Sequence, residues 1–162
     1  MQEKPAVGIV MGSVSDKAVM EECAKTLDEL GIKFEITVSS AHRSPDKTRD
    51  YAINAADRGI EVIIAGAGWA AHLAGVLASH ATVPVIGVPI DSSPLKGIDA
   101  LLSTAQMPPG VPVATMAIGS GGARNAAVFA AQILALKYPD IANRLETYRE
   151  RLRAKSTGAK ID

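Results

Sequence analysis

A three-layer αβα sandwich on a mainly parallel sheet is the fold this sequence predicts. Runs of Val, Ile and Ala without polar alternation recur along the chain, as they do in strands buried on both faces. Segments with apolar residues at helical spacing separate these runs, and short connections join them, which forces right-handed crossovers between parallel strands. The 162 residues suit one domain, read as 1–155 with a disordered tail over 156–162, and 48% apolar with 21% charged residues is an ordinary globular composition.

The elements follow in order. Ala6 to Met11 is the first strand, ending at Gly12, and Asp16 to Leu30 is a helix with Val19, Met20, Cys23, Ala24, Leu27 and Leu30 on its inner face and Gly31 as its stop. Phe34 to Val38 is the second strand. Ser44 then caps a helix with Pro45 in its first turn, running to about Gly59. Val62 to Ala65 is a third strand before a Gly-rich turn and a small-residue helix from Ala70 to Ser79, and Val85 to Val88 is a fourth. A short helix from Leu95 to Ser103 leads into the irregular, proline-rich stretch Gln106 to Pro112, the expected mobile or interface loop. Val113 to Ile118 is the fifth strand, and helices follow over Arg124 to Lys137 and from Asp140 to about Arg153. Such a chain belongs with the flavodoxin-like and Rossmann-like sandwiches, whose ligands collect beyond the carboxyl ends of the strands.

Composition excludes several functions. Seventeen basic and seventeen acidic residues cancel, so there is no global field for a nucleic acid or an anionic membrane. The most apolar stretch, Val62 to Ala78, is too short and too broken by glycines to span a bilayer. The first residues lack the charged and apolar regions of a secretion signal, and a cytoplasmic location is expected. Cys23 is the lone cysteine and reads as a reduced core thiol; the three histidines show no HExxH pattern, so no metal is expected, and His80 reads as structural.

Three strand-end loops carry the chemistry. In the first, Gly12-Ser13-Val14-Ser15-Asp16 offers hydroxyls and free N–H groups at a helix start, where an anion is favoured; Asp16 either caps the helix, turns to sugar hydroxyls, or does both. The second, Ser39-Ser40-Ala41-His42-Arg43-Ser44, sets a proton-accepting imidazole beside a forked cation that clamps phosphate or carboxylate. An exposed turn is the plain alternative for His42 and Arg43 alone, and their place after a central strand favours the chemical one. In the third, Gly66 and Gly68 let the backbone approach a planar ligand closely, and His72 near the next helix start offers a contact to a carboxylate. Asp91 to Pro94 and Gly119 to Gly122 also follow strands and either line the same rim or make ordinary turns.

These motifs, GSVSD, SAHRSPD, AGAGWAAHLAG and QMPPGVPVAT in one order over essentially the whole chain, resemble class I N5-carboxyaminoimidazole ribonucleotide mutase. The resemblance implies reversible transfer of a carboxylate from N5 to C4 of the aminoimidazole ribonucleotide in purine synthesis, with no cofactor, in a homo-octamer whose sites lie at subunit contacts. It implies Ser13, Asp16 and Arg43 as nucleotide-binding residues, His42 as the general acid/base, and Ser40 with His72 in support. Arg43 after the histidine fits the mutase class, whereas the related direct carboxylase has Lys there; that carboxylase and a noncatalytic nucleotide-binding or scaffolding homologue stand as alternatives. Two positions depart from the pattern, Trp69 for Gly and Ala74 for Pro. The indole narrows the CO2 pocket, redirects His72 or points into a subunit contact, and the sequence leaves all three open.

Overall fold

The computed structural model describes residues 4–158 and contains one five-stranded sheet, all parallel, in the order β2-β1-β3-β4-β5. The elements are β1 (Val7–Met11), α1 (Lys17–Glu29), β2 (Phe34–Val38), α2 (Pro45–Ile53), β3 (Val62–Ala67), α3 (Leu73–His80), β4 (Val85–Pro89), α4 (Ile98–Ala105), β5 (Ala114–Thr115), α5 (Ser120–Ala135) and α6 (Pro139–Thr157). A 3-10 turn over Val14–Asp16 leads into α1. The order is that of the flavodoxin-like doubly wound sheet, with its reversal of winding at β1 and β3.

Both faces of the sheet are covered, which is why the strands carry no alternation. Ile9 and Met11 of β1, Ile64 of β3 and Ile86 of β4 face α1 and α5, while Val10, Ile63, Ala65 and Val85 face α2 and α3. Residues of β1 and β4 are buried throughout, and β2, at the edge, is only partly covered. Each fully buried Ile or Leu contributes about 1.5–3 kcal/mol relative to exposure. The inner face of α5 is almost all alanine, with Ala123, Ala126, Ala127, Ala130 and Ala131 buried, so this helix lies close to both the sheet and α1. Ile141 and Leu145 of α6 seal the outside of that layer.

Cys23 lies in the same layer, fully buried on α1, and burial pushes its thiol up to about 12. Iodoacetamide at pH 8 is therefore expected to leave native protein unmodified and to alkylate it only under denaturant, a contrast that intact-mass spectrometry reads directly.

Several boundaries differ from those the sequence predicts. Helix α2 ends at Ile53, well before Gly59: Asn54 Nδ2 donates to the Asp50 carbonyl at 2.7 Å, and the chain then turns through Gly59 at φ +95°. Helix α3 starts at Leu73 and not at Ala70, because Trp69 and Ala71 take left-handed φ values of +56° and +45°. Strand β5 has two residues, not six. Prolines at 108, 109 and 112 remove amide donors before it, although Met116 N–H still donates to the Gly87 carbonyl at 2.9 Å. Helix α5 begins at Ser120, and α6 runs to Thr157, past the end expected near Arg153. Of the expected tail over 156–162, residues 159–162 lie outside the described residues.

The register of the sheet positions the site. Met11 pairs with Val38 on one side and with Gly66 on the other, so the chain leaves β1, β2 and β3 side by side at one edge. No helix among the described residues is long and apolar enough to cross a membrane.

Candidate active site

A cleft of about 630 Å³ opens at that edge, walled by the loops after β1, β2 and β3 and touched by Ser92 from the loop after β4. Ser13, Asp16, Ser40, His42, Arg43, Gly68 and His72 all line it, so the three chemical loops meet in one place.

The first loop is a closed capping box. Ser13 N–H donates to Asp16 Oδ2 at 3.0 Å, and Ser13 Oγ accepts from Ser15 N–H at 3.3 Å and from Ser15 Oγ at 2.9 Å. Asp16 is 4% exposed, and burial holds its carboxyl above the usual carboxylate range, against the opposing pull of the Ser13 N–H. The expected side-chain cap of Asp16 on α1 is not found: its carboxylate closes the 3-10 turn through one oxygen, which leaves the other for a ligand.

The second loop is a tight turn held by its own serines. Ser40 Oγ accepts from Arg43 N–H at 3.2 Å, and Ser44 Oγ accepts from Ser40 N–H at 3.1 Å. The expected capping role of Ser44 is not found: its hydroxyl donates back to the Ser40 carbonyl at 3.1 Å and makes no cap bond to α2. Beneath the turn, the buried hydroxyls of Ser39 and Thr48 lie 2.7 Å apart, and Thr48 donates to the Ser44 carbonyl at 3.2 Å, so Ser39 is the donor of the pair. This network sets the backbone from which His42 and Arg43 project, both exposed in the cleft wall.

The third loop brings the two imidazoles together. His72 sits at the N-cap of α3 without a capping bond, and its Nδ1 lies 2.7 Å from His42 Nε2. The ring centroids are 4.8 Å apart and the planes meet at 79°, an edge-on hydrogen-bonded pair that only one proton can occupy at the contact. A capping position is thus put to use as a partner for a histidine thirty residues earlier.

Gly68 and Gly66 differ in their roles. A Cβ at Gly68 would overlap Ser92 Oγ and crowd the Ile90 carbonyl at 3.0 Å, so glycine there admits the β4 loop to the rim. Gly66 does not line the cleft; it is buried in β3, where a Cβ would overlap Met20 Sδ, and its small size lets α1 pack. Gly119 to Gly122 also stays away from the cleft: Gly119, at φ +80°, turns the chain into α5, and Gly122 is buried against the Ala117 carbonyl. His80 is exposed in the last turn of α3, outside the cleft, where the helix dipole favours a basic side chain. Ala74 is the second residue of α3 and buried; proline's missing N–H would cost nothing at that position, so the departure there leaves the helix start intact. Ser92 was expected only as part of a possible rim, and its signal is its place after a central strand.

Residues 6–155 match a family model described as AIR carboxylase. The chain is 57% identical over 149 residues to an N5-carboxyaminoimidazole ribonucleotide mutase of Thermotoga maritima, covering 92% of this chain and 86% of that protein. It is 58% identical over 146 residues to the protein of the same name from Pyrococcus abyssi, covering 90% and 83%. Among solved structures it superposes on PurE of Treponema denticola with a TM-score of 0.84, at 30% identity and 95% coverage of both chains.

Proposed function

The chain belongs to the AIR carboxylase family, and we propose that within it the chain is an N5-carboxyaminoimidazole ribonucleotide mutase, an isomerase of purine biosynthesis. The observation that carries the chemistry is the hydrogen-bonded pair of His42 and His72 in a cleft that also holds an anion clamp and a capped, buried carboxylate.

In this reading Arg43 and the loop of Ser13 and Asp16 bind the ribose phosphate end, with Ser40 holding the Arg43 backbone in place. His42 protonates N5 as the N5–carboxylate bond breaks, and the electron pair of that bond passes to nitrogen. CO2 leaves and stays beside the ring. The electron-rich C4 attacks it, forming the carbon–carbon bond, and His42 takes back the C4 proton as aromaticity returns. One proton leaves the imidazole and one comes back, so no external acid or base is consumed. With Nε2–H donated to His72 Nδ1, His42 enters the cycle protonated on both nitrogens, gives the Nδ1 proton to N5, and takes the C4 proton back on the same nitrogen, so that His72 fixes both ring orientation and the nitrogen that faces the substrate. Confinement keeps the gas within reach of C4, and Gly68 and the small residues of the third loop supply the close wall.

The same reading makes the chain a homo-oligomer, an octamer by its resemblance. It is supported by exposed apolar side chains on the β2 edge, Ile36 and Val38, and along α4, Ile98 and Leu102. A cytoplasmic location follows, since the substrate is a free anionic nucleotide.

Direct carboxylation of aminoimidazole ribonucleotide is the second reading, favoured by the description of the matching family model. Parallel assays separate the two: N5-carboxyaminoimidazole ribonucleotide is expected to turn over far faster than aminoimidazole ribonucleotide with bicarbonate. The reverse preference establishes the carboxylase, and binding without turnover of either establishes a noncatalytic homologue.

A further inference from the structure

We propose that Trp69 is a stacking platform for the heteroaromatic ring of the substrate, so that the indole selects a base-bearing nucleotide over a bare ribose phosphate. The inference rests on the reading above and adds a specificity residue to it. Trp69 adopts φ +56°, a conformation free to glycine and costly to a bulky side chain. Ala71, two residues on, repeats the strain at φ +45°. The indole recovers little by burial, because 60% of its surface is open to solvent. A large aromatic group that is both strained and exposed has no account in the stability of the chain, and strain of this kind persists where surrounding contacts enforce it and a function uses it.

The enforcing contacts are present. Ala71 N–H donates to the Gly68 carbonyl at 3.0 Å, and Ser103 of α4 donates its hydroxyl to the Ala70 carbonyl, pinning the turn from the far side. The place of Trp69 is also informative. Trp69 lines the same cleft as Ser13, Asp16, His42 and Arg43, three residues before His72. A nucleotide whose phosphate lies on Arg43 and whose sugar faces Asp16 brings its ring to the two imidazoles and so to the indole face. Ring stacking of this kind is tolerant in geometry and strong enough to govern affinity.

Trp69 is the lone tryptophan of the chain, so its emission reports this site and no other. The test measures affinity of the full-length protein for 5-aminoimidazole ribonucleotide and for ribose 5-phosphate, in wild type, W69F and W69A. Saturable quenching of wild-type emission by the nucleotide is expected. Its Kd should rise roughly tenfold in W69A and less in W69F, while the Kd for ribose 5-phosphate stays within about twofold. Loss of both ligands to the same degree, or of neither, overturns the platform. So does emission that responds to protein dilution and not to nucleotide, which means that a second copy of the chain covers the indole. Should W69A fail to fold, W69F carries the same comparison. Failure of the wild-type turnover assay refutes the reaction, whereas equal nucleotide affinity in wild type and W69A refutes the platform and leaves the reaction standing.

Discussion

Replacing His42 by Asn is expected to lower kcat on N5-carboxyaminoimidazole ribonucleotide by roughly 10²–10⁴-fold while moving nucleotide affinity by less than about threefold. Asparagine keeps a polar group at the end of a short side chain but cannot carry a proton from N5 to C4. The surrounding turn does not depend on the imidazole: Ser40, Ser44 and Thr48 hold it through their hydroxyls and carbonyls. Kinetics with substrate and calorimetry with 5-aminoimidazole ribonucleotide separate the two quantities. Turnover within tenfold of wild type removes His42 from the proton path. A matched loss of affinity and kcat assigns it to binding.

The largest expected effect on stability comes from Gly122→Ala. A Cβ at Gly122 would fall inside the van der Waals radius of the Ala117 carbonyl oxygen and within 3.2 Å of the Ala117 nitrogen, and backbone atoms cannot rotate away as a side chain would. Relief requires the first turn of α5 to move, and that helix carries Ala123, Ala126 and Ala127 into the core. The cost is about 3 kcal/mol, at the upper end of overpacking effects, which for a chain of this size lowers Tm by roughly 6–12 °C. Gly121→Ala is the control one position earlier. Its Cβ meets nothing within 4 Å, and the exchange is expected to be neutral or to stabilise by up to about 1 kcal/mol. Thermal unfolding followed by circular dichroism distinguishes these outcomes; similar Tm values for the two variants would show that α5 yields at its start.

The parts of this architecture that were legible in the sequence are those set by local composition. The run Phe34 to Val38 is the second strand to the residue, and Gly12 and Ser39 mark where the first two loops leave the sheet, whereas β3 runs two residues past its expected end at Ala65. Other features depend on partners distant in sequence. Nothing in the spacing of His42 and His72 announces a 2.7 Å contact, because a strand, a helix and a turn lie between them. The late start of α3 was hidden because Trp and Ala are not residues that signal a left-handed turn. Gly66 and Gly68 look equivalent in a row of small residues, yet β3 continues through Gly66, where the missing Cβ lets Met20 of α1 pack, and ends at Ala67, which leaves Gly68 at the rim. The brevity of β5 reflects three nearby prolines competing with an otherwise suitable apolar run.

Every residue that walls the cleft falls between positions 12 and 92. The chain beyond Ser92, more than two-fifths of the protein, reaches that wall through the Ser103 bond to Ala70 and supplies α5 and α6 as its foundation. Damage should therefore sort by address. Alleles that abolish catalysis in a well-folded protein should concentrate in the earlier segment, while those that alter the buried alanines of α5 should act through abundance, with each surviving molecule still competent.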